Sequence, residues 1–312
     1  MLTDHRQPVY LQQGVSFSRH SWCDALMKTS HILTLTLPDA AGIVHAVSCG
    51  LLDIGGNILE SAQFGDPCSR LFCLRTVVET ACEASADVAA AVRAKLAAAG
   101  HTEQVRLEVR RADWRPRILI MVSRFDHCLV DLLYRWKNGL LPVEIPAIVS
   151  NHPDAEPIAR SYGIPFHHLP ITPETKPAQE ARLLKLIDEY RVDLVVLARY
   201  MQVLSNELCQ KLQGRAINIH HSFLPGFKGA KPYHQAAARG VKLIGATAHF
   251  VTPDLDEGPI IEQDVARVTH AHTIEQIIAL GQDTERLVLA RAVRLWAEDR
   301  VLMICDRTVV FT

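Results

Sequence analysis

The sequence lacks the features that mark several specialised classes of protein. Its 33 basic and 34 acidic residues leave a formal net charge of −1, so no excess of positive charge indicates binding to nucleic acid or to an anionic membrane. Its apolar runs are far shorter than the roughly 20 residues that cross a bilayer. We therefore expect a cytoplasmic protein that acts on a small molecule, with neither nucleic acid nor membrane as partner.

Two further absences exclude particular chemistries. The eight cysteines include no CxxC pair, and none has the spacing with histidine that a zinc site requires. Reduced thiols are therefore the expected state. No G-x-G-x-x-G motif follows a predicted strand, and this argues against a nicotinamide-dependent oxidoreductase.

The length of 312 residues is sufficient for two domains. A charged stretch that ends in a proline, residues 111–116, predicts the linker between them. We expect an N-terminal extension over residues 1–30, a first domain over 31–110 and a second domain over 117–312. The extension lacks the charged and then apolar pattern of a signal peptide.

The pattern of the first domain alternates between strand and helix in the order βαββαβ. Alternating apolar residues predict the strands, while apolar residues at helical spacing and an alanine-rich run predict the two helices. This order is typical of a ferredoxin-like sandwich. The predicted strands are 31–37, 57–64, 71–78 and 104–109, and the predicted helices are 43–52 and 84–99.

The first domain also resembles an ACT domain, a small regulatory module that commonly binds amino acids between two copies. A glycine-containing loop that leads into a helix presents free backbone N–H groups to a carboxylate. The pattern leaves two functions open, which are amino-acid binding and a scaffold that only dimerises. The resemblance rests on the turn 55–58 and on the candidate regulatory residues Asp39, Gly42, Ile43, Val44 and Asn57.

In the second domain, predicted strands and helices alternate along the chain. This alternation predicts a doubly wound, mostly parallel sheet with helices on both faces. Ligands of such folds bind at the carboxyl ends of the strands. The predicted strands are 118–122, 143–149, 166–169, 194–197, 216–219, 243–251 and 260–265, and the predicted helices are 127–138, 177–190 and 274–296.

Three polar residues near the ends of strands 216–219 and 243–251 are candidates for catalysis. Asn218 and His220 are two positions apart, so both side chains leave the same face of the strand. The amide can bind a developing oxyanion, the imidazole can move protons, and the Asp256 carboxylate can orient the imidazole. His221 should face the other side and have a structural role. His249 has either a bonding role in the wall of the site or a direct one.

These residues resemble the folate-dependent formyltransferases, whose signature is Asn-x-His followed later by Asp-x-Gly. Asn218, His220 and Asp256 match the signature residue by residue. The stretch 197–204 resembles the segment in which backbone groups of that family bind the pterin. The resemblance implies that the substrate is bound by Met201, Gln202, Val203, Leu204, His249 and Gly258.

The absence of a glycine-rich phosphate loop indicates which formyl acceptor the protein uses. Formyltransferases with a phosphorylated ribosyl amine acceptor share a glycine-rich phosphate loop, whereas residues 122–128 here have no such cradle. Phe125, His127 and Leu129 are expected to fill the space that a phosphorylated acceptor needs, so water remains as acceptor. Cys128 has no motif that pairs it with a histidine, and packing is its expected role.

With the loop 227–234, these features resemble the formyltetrahydrofolate deformylases. The resemblance implies that a linear amide C–N bond of 10-formyltetrahydrofolate is hydrolysed to formate and tetrahydrofolate. Formate then supplies purine synthesis, and the reaction balances the one-carbon pool. The resemblance also implies regulation by glycine and methionine through the first domain, and a homo-oligomer, either dimer or tetramer.

The expected mechanism needs neither metal nor cofactor, because three side chains supply polarisation and proton transfer. Asp256 and His220 deprotonate water, and Asn218 stabilises the oxyanion. Two alternatives remain, which are formyl transfer to an amine acceptor and a folate or amino-acid sensor without turnover.

Overall fold

The computed structural model describes residues 28–226 and 232–312. Most of the predicted extension, residues 1–27, and the first part of the loop 227–234, residues 227–231, lie outside the described residues. In the part of the chain that is described, no helix combines the length and apolar character needed to span a membrane.

The first domain contains a four-stranded antiparallel sheet in the order β2-β3-β1-β4, with two helices on one face. This arrangement confirms the predicted sandwich. Leu33, Leu35 and Leu37 alternate along β1 and are buried against the helices. The last strand begins two residues later than predicted, because Gln104 turns the chain with a φ of 51°. The elements are β1 (Thr29–Pro38), α1 (Ile43–Asp53), β2 (Asn57–Asp66), β3 (Leu71–Thr80), α2 (Ser85–Ala98) and β4 (Arg106–Arg111).

The second domain contains a seven-stranded sheet in the order β11-β10-β9-β8-β5-β6-β7, in which β9, β8, β5, β6 and β7 are parallel. This confirms the predicted doubly wound, mostly parallel fold. The elements are β5 (Arg117–Val122), α3 (His127–Lys137), β6 (Glu144–Ser150), α4 (Glu156–Ser161), β7 (Phe166–His168), α5 (Lys176–Glu189), β8 (Leu194–Leu197), α6 (Asn206–Lys211), β9 (Ala216–His220), α7 (Pro232–Ala238), β10 (Leu243–Phe250), β11 (Ile260–Arg267) and α8 (Ile274–Ala297).

The interior strand β5 separates the two cores of this domain. Ile118 and Ile120 belong to the core beneath α3 and α8, whereas Leu119 and Met121 belong to the core beneath α5, and all four are fully buried. Side chains of a strand point alternately to the two faces of its sheet. Burial on both faces explains the unbroken apolar run of β5.

The C-terminal residues form a hairpin that the sequence pattern did not predict. Strands β12 (Val301–Ile304) and β13 (Arg307–Val310) have four residues each, too few for a clear periodic signal. The hairpin packs on the first domain, where Ile304 and Phe311 bury Cys73 of β3. The last part of the predicted second domain therefore covers the open face of the first sheet.

Ion pairs and hydrogen bonds join the first domain to the end of α8. The Arg75 Nε donates to the carbonyl oxygen of Glu298 over 3.0 Å. Arg110 forms an ion pair with Asp299 and donates to the carbonyl of Ala297. The C-terminal end of α8 is thus held by two arginines of the first domain.

Candidate active site

A cavity of about 590 Å³ lies where β8 and β9 end. Asn218, His220, His249 and Asp256 all contribute to its wall. The location agrees with the rule that ligands bind at the carboxyl ends of parallel strands. The prediction that β9 and β10 end at the same place, and so bring Asp256 to the site, was wrong. Strand β10 runs antiparallel to β9 and pairs Phe250 with Ile217, so β10 does not end beside the end of β9.

The loop after β10 returns Asp256 to the end of β9. Gly258 makes this return possible, because a Cβ atom there would lie 1.7 Å from the carbonyl oxygen of Phe250. Gly258 is not part of the cavity wall, so its position supports a role in shaping the loop. Asp256 itself has a φ of 58°, a left-handed conformation that aspartate tolerates better than most residues.

His220 and Asp256 form the charged centre of the site. The His220 Nδ1 lies 3.2 Å from the Asp256 Oδ1. Burial opposes ionisation of Asp256, but the hydrogen bond from His220 outweighs it and holds the pKa of this carboxyl well below its usual range. The carboxylate therefore fixes the proton of His220 on Nδ1. The Nε2 atom is buried without a hydrogen-bond partner among the described residues, so its lone pair is not used by a contact within the protein.

His249 orients the amide of Asn218. The His249 Nδ1 lies 2.8 Å from the carbonyl oxygen of Phe250, which can only accept a hydrogen bond, so Nδ1 is the donor. Nε2 of the neutral ring is then an acceptor, and it lies 3.2 Å from the Asn218 Nδ2. One amide hydrogen of Asn218 is used in this contact. The second remains for an oxyanion in the cavity.

One wall of the cavity consists of the segment after β8. The predicted residues Met201, Gln202, Val203 and Leu204 all line it. Met201 and Val203 are 49% and 58% exposed, and the Met201 N–H donates to the Ser123 hydroxyl over 3.0 Å. This wall offers apolar side chains and a backbone that is held in place, as a flat heterocycle requires.

Another wall is charged, and sequence reasoning missed its central residue. Glu285 of α8 is fully buried and contacts His127, Arg199 and Tyr233. The spacing of Glu285 along the helix predicts only a position that faces the core. A glutamate among buried apolar positions of a helix is, however, unusual. The prediction for Leu129 was wrong, because this side chain is fully buried in the core beneath α3. Phe125 and His127 do line the cavity, as expected.

The prediction that His221 points away from the site was also wrong. Its ring lines the cavity and lies 5.1 Å, centroid to centroid, from that of His220. The Arg199 Nη1 can only donate, and it contacts the His221 Nδ1, so the proton of the neutral ring is on Nε2. Burial, together with the positive charge of Arg199, lowers the pKa of His221 to about 4.

His127, Cys128 and Glu285 are the one group of described residues with the spacing of a metal site. Burial raises the pKa of the Cys128 thiol well above its usual value, so the thiolate that a metal needs is disfavoured. The Arg199 Nε lies 3.1 Å from the Glu285 Oε2. A guanidinium therefore already holds the carboxylate, and the donor set does not suit a divalent cation.

Four of the five candidate regulatory residues, within 39–44, lie at the start of α1, whereas Asn57 follows the other end of this helix, at the start of β2. Gly42 precedes the helix with a φ of 93°, a conformation that favours glycine. Val44 is 43% exposed, whereas Ile43 is buried in the core of the first domain, so only its backbone can reach a ligand. Asp39 and Asn57 are exposed.

Comparisons with known proteins give a consistent result. The family model described as formyl transferase matches residues 116–293. A formyltetrahydrofolate deformylase of Corynebacterium sp. (strain P-1) is 48% identical over 90% of this chain and 97% of its own length. The deformylase of Escherichia coli (strain K12) is 39% identical over 89% of this chain and 97% of its own length.

Solved structures extend the comparison to the fold. The crystal structure of formyltetrahydrofolate deformylase from Burkholderia mallei ATCC 23344 is 51% identical, with a TM-score of 0.84, and the match covers 91% of this chain and 100% of that one. Glycinamide ribonucleotide transformylase 1 from Symbiobacterium toebii is 32% identical, with a TM-score of 0.59 over 64% of this chain and 95% of its own. By sequence and by fold, over about nine tenths of its length, the chain belongs to the formyltetrahydrofolate deformylase family.

Proposed function

We propose that this protein is a cytoplasmic hydrolase that converts 10-formyltetrahydrofolate and water into formate and tetrahydrofolate. The bond cleaved is a linear amide C–N bond. The observation that carries the proposal is the convergence of Asn218, His220 and Asp256 on one cavity, with the Nε2 of His220 unpartnered. The names of the relatives agree with this substrate. Formate released in this way supplies purine synthesis and balances the one-carbon pool.

The geometry supports a stepwise hydrolysis. His220, polarised by Asp256, takes a proton from water through Nε2, and the resulting hydroxide attacks the formyl carbon. The free amide hydrogen of Asn218 stabilises the tetrahedral oxyanion. His220 then gives its proton to N10, the C–N10 bond breaks, and formate leaves. These three side chains supply the proton transfers and the oxyanion contact, so the proposal includes neither metal nor cofactor.

The experiment that tests this proposal measures formate released from 10-formyltetrahydrofolate with no acceptor added. We expect formate and tetrahydrofolate in equal amounts. The runner-up is formyl transfer to an amine, and it would release no formate but would give a formylated amine and tetrahydrofolate once an amine is supplied. Absence of both formate and formylated amine when an amine is supplied, with the substrate still bound, would leave only a sensor function.

We further propose that residues 31–110 form a regulatory ACT-type domain, linked by 111–116 to a catalytic domain over 117–312. Strand β4 ends at Arg111 and β5 begins at Arg117, so residues 112–116 between the two strands support the linker, whereas Arg111 still belongs to the first sheet. The start of α1, with backbone N–H groups next to Gly42 and the Asp39 carboxylate nearby, suits the two charged ends of an amino acid. Glycine and methionine are the proposed effectors.

The exposed edge of the first sheet supports a homo-oligomer, either a dimer or a tetramer. Strand β2 is at the end of the strand order, and its Ile58, Leu59 and Phe64 are 41%, 55% and 44% exposed. An edge strand with apolar side chains can pair with a second copy. Sedimentation should give an even number of chains. Formate release with and without glycine or methionine tests the regulatory role, and effectors without influence would leave this domain a scaffold.

A further inference from the structure

Four residues form a compact cluster in the charged wall of the cavity: His127, Arg199, Tyr233 and Glu285, here called the Glu285 cluster. The His127 Nε2 donates to the Glu285 Oε2 over 2.9 Å. The Tyr233 hydroxyl donates to the other carboxylate oxygen, and the Arg199 Nε lies 3.1 Å from Oε2 as an ion pair. These contacts join α3, α7, α8 and the segment after β8.

The cluster neutralises its own charges. A buried carboxylate is costly unless its oxygens are bonded, and both oxygens of Glu285 have partners. Burial alone would raise the pKa of Glu285, but His127, Arg199 and Tyr233 together lower it, so the carboxylate stays ionised. Arg199 is 8% exposed. Its positive charge is therefore compensated by the Glu285 carboxylate within the protein.

Helix α8 is shaped to receive the tyrosine of the cluster. A Cβ atom on Gly281 would lie 2.2 Å from the Tyr233 ring, so a larger residue could not occupy this position while the ring stays in place. Gly281 is one helical turn before Glu285. The absence of a side chain at 281 lets Tyr233 lie against α8 with its hydroxyl on the carboxylate.

The cluster is directly connected to the reacting centre. Arg199 contacts the His221 Nδ1, and the His221 ring lies 5.1 Å from that of His220. An amine acceptor has to enter this cavity and bring its nitrogen to the formyl carbon beside His220. A phosphorylated or hydroxylated acceptor also needs polar partners in the wall. Here the carboxylate and the guanidinium of the wall already bind each other.

We propose that Glu285 is a specificity-determining residue. By holding His127, Arg199 and Tyr233 together, it closes the charged wall to amine acceptors and leaves room for water. In both reactions the C–N10 bond breaks, and N10 receives the proton that the nucleophile loses. Water gives formate, whereas an amine gives a formamide, so the cluster decides only which nucleophile reaches the formyl carbon. This inference rests on the proposed function.

The test supplies 10-formyltetrahydrofolate with hydroxylamine or glycinamide and measures the ratio of formylated amine to formate. Glu285→Ala opens the wall, and we expect the ratio to rise about tenfold or more over the unsubstituted protein, within the range that a few lost contacts give. Glu285→Gln keeps the volume but removes the charge and should give a smaller rise. The ratio does not depend on total turnover, so a general loss of activity does not mimic the effect.

Tyr233→Phe and Arg291→Ala complete the design. Tyr233→Phe removes one hydroxyl while the Glu285–Arg199 pair remains, and a rise of about threefold is expected, even if the Glu285 variants fail to fold. Arg291 is on the outer side of the same helix, where it pairs with Asp264, and its replacement should leave the ratio unchanged. An unchanged ratio in every cluster variant that turns over would overturn the inference. No formate from the unsubstituted protein would instead overturn the proposed function.

Discussion

The two walls of the cavity differ in exposure and in charge. The wall formed by residues 201–204 is partly exposed, and Met201 and Val203 present apolar surface to whatever enters. Arg199, Tyr233 and Glu285 of the Glu285 cluster are buried, and the guanidinium and the carboxylate of the cluster form an ion pair. One wall therefore keeps free apolar surface for a ligand, and the other pairs its carboxylate with its own guanidinium. Asn218, His220 and Asp256 line the same cavity as these two walls.

The largest effect on activity is expected from a substitution in the group Asn218, His220 and Asp256 that leaves both walls of the cavity unchanged. Asp256→Asn removes the carboxylate that fixes the proton of His220 on Nδ1, so Nε2 loses its role as a base. We expect kcat to fall by about 10² to 10⁴-fold, the usual contribution of a positioned acid or base, while folate binding persists. Asp254→Asn in the same loop is the matched control. Hydrolysis at the normal rate in Asp256→Asn would remove this residue from the mechanism.

The next effect concerns the oxyanion. Asn218→Ala deletes the amide that His249 orients, and single donors of this kind contribute about 10² to 10³-fold to kcat. KM should change little, because the contact forms mainly in the transition state. Steady-state kinetics of formate release separates the two constants. A raised KM with normal kcat would mean that Asn218 only binds the substrate.

Acid should destabilise the folded protein through His221. The pKa of His221 is about 4 in the folded protein and about 6.5 in an unfolded chain. Between these values the folded state binds fewer protons, so the free energy of unfolding decreases as the pH falls from about 6.5 to about 4. We expect this residue to account for about 1 to 2 kcal/mol between pH 7 and pH 5. Denaturant unfolding of His221→Gln at both pH values should show a correspondingly smaller loss, and an equal loss would contradict the assignment.

The smallest expected effect is a change in KM when an apolar side chain of the cavity is shortened. Leu255 lines the cavity and is 62% exposed, so a bound ligand can remove its surface from water. Leu255→Ala should raise KM for the folate about fivefold, as the loss of about 1 kcal/mol of apolar burial implies, with kcat unchanged. Leu140 is 54% exposed and does not line the cavity, so Leu140→Ala should leave both constants as they are. Equal KM values in the two variants would argue against ligand contact at Leu255.

The sequence pattern predicts the fold well because both domains have long periodic elements. The exceptions are short, such as α6 with six residues and the hairpin β12–β13, whose formation depends on packing against distant parts of the chain. Asn218 and His220 could be placed on one face because a strand fixes the direction of alternate side chains.

The charged wall was harder to predict. Glu285 is on α8, far along the chain from His127 and Arg199, and periodicity assigns a buried helix position without naming its partners. Leu129 shows the opposite error, since a bulky residue next to a motif was expected in the cavity and lies in the core. The direction of β10 relative to β9 was likewise not encoded in either strand.

Helix α8 takes part in both regions of the molecule. Glu285 belongs to the cavity wall, and about 18 Å further along the helix the carbonyl of Ala297 accepts a hydrogen bond from Arg110 of the first domain. The hairpin that follows lies on the first sheet. Unfolding of either domain would remove packing contacts from the other. Calorimetry should therefore record a single cooperative unfolding transition for the whole chain.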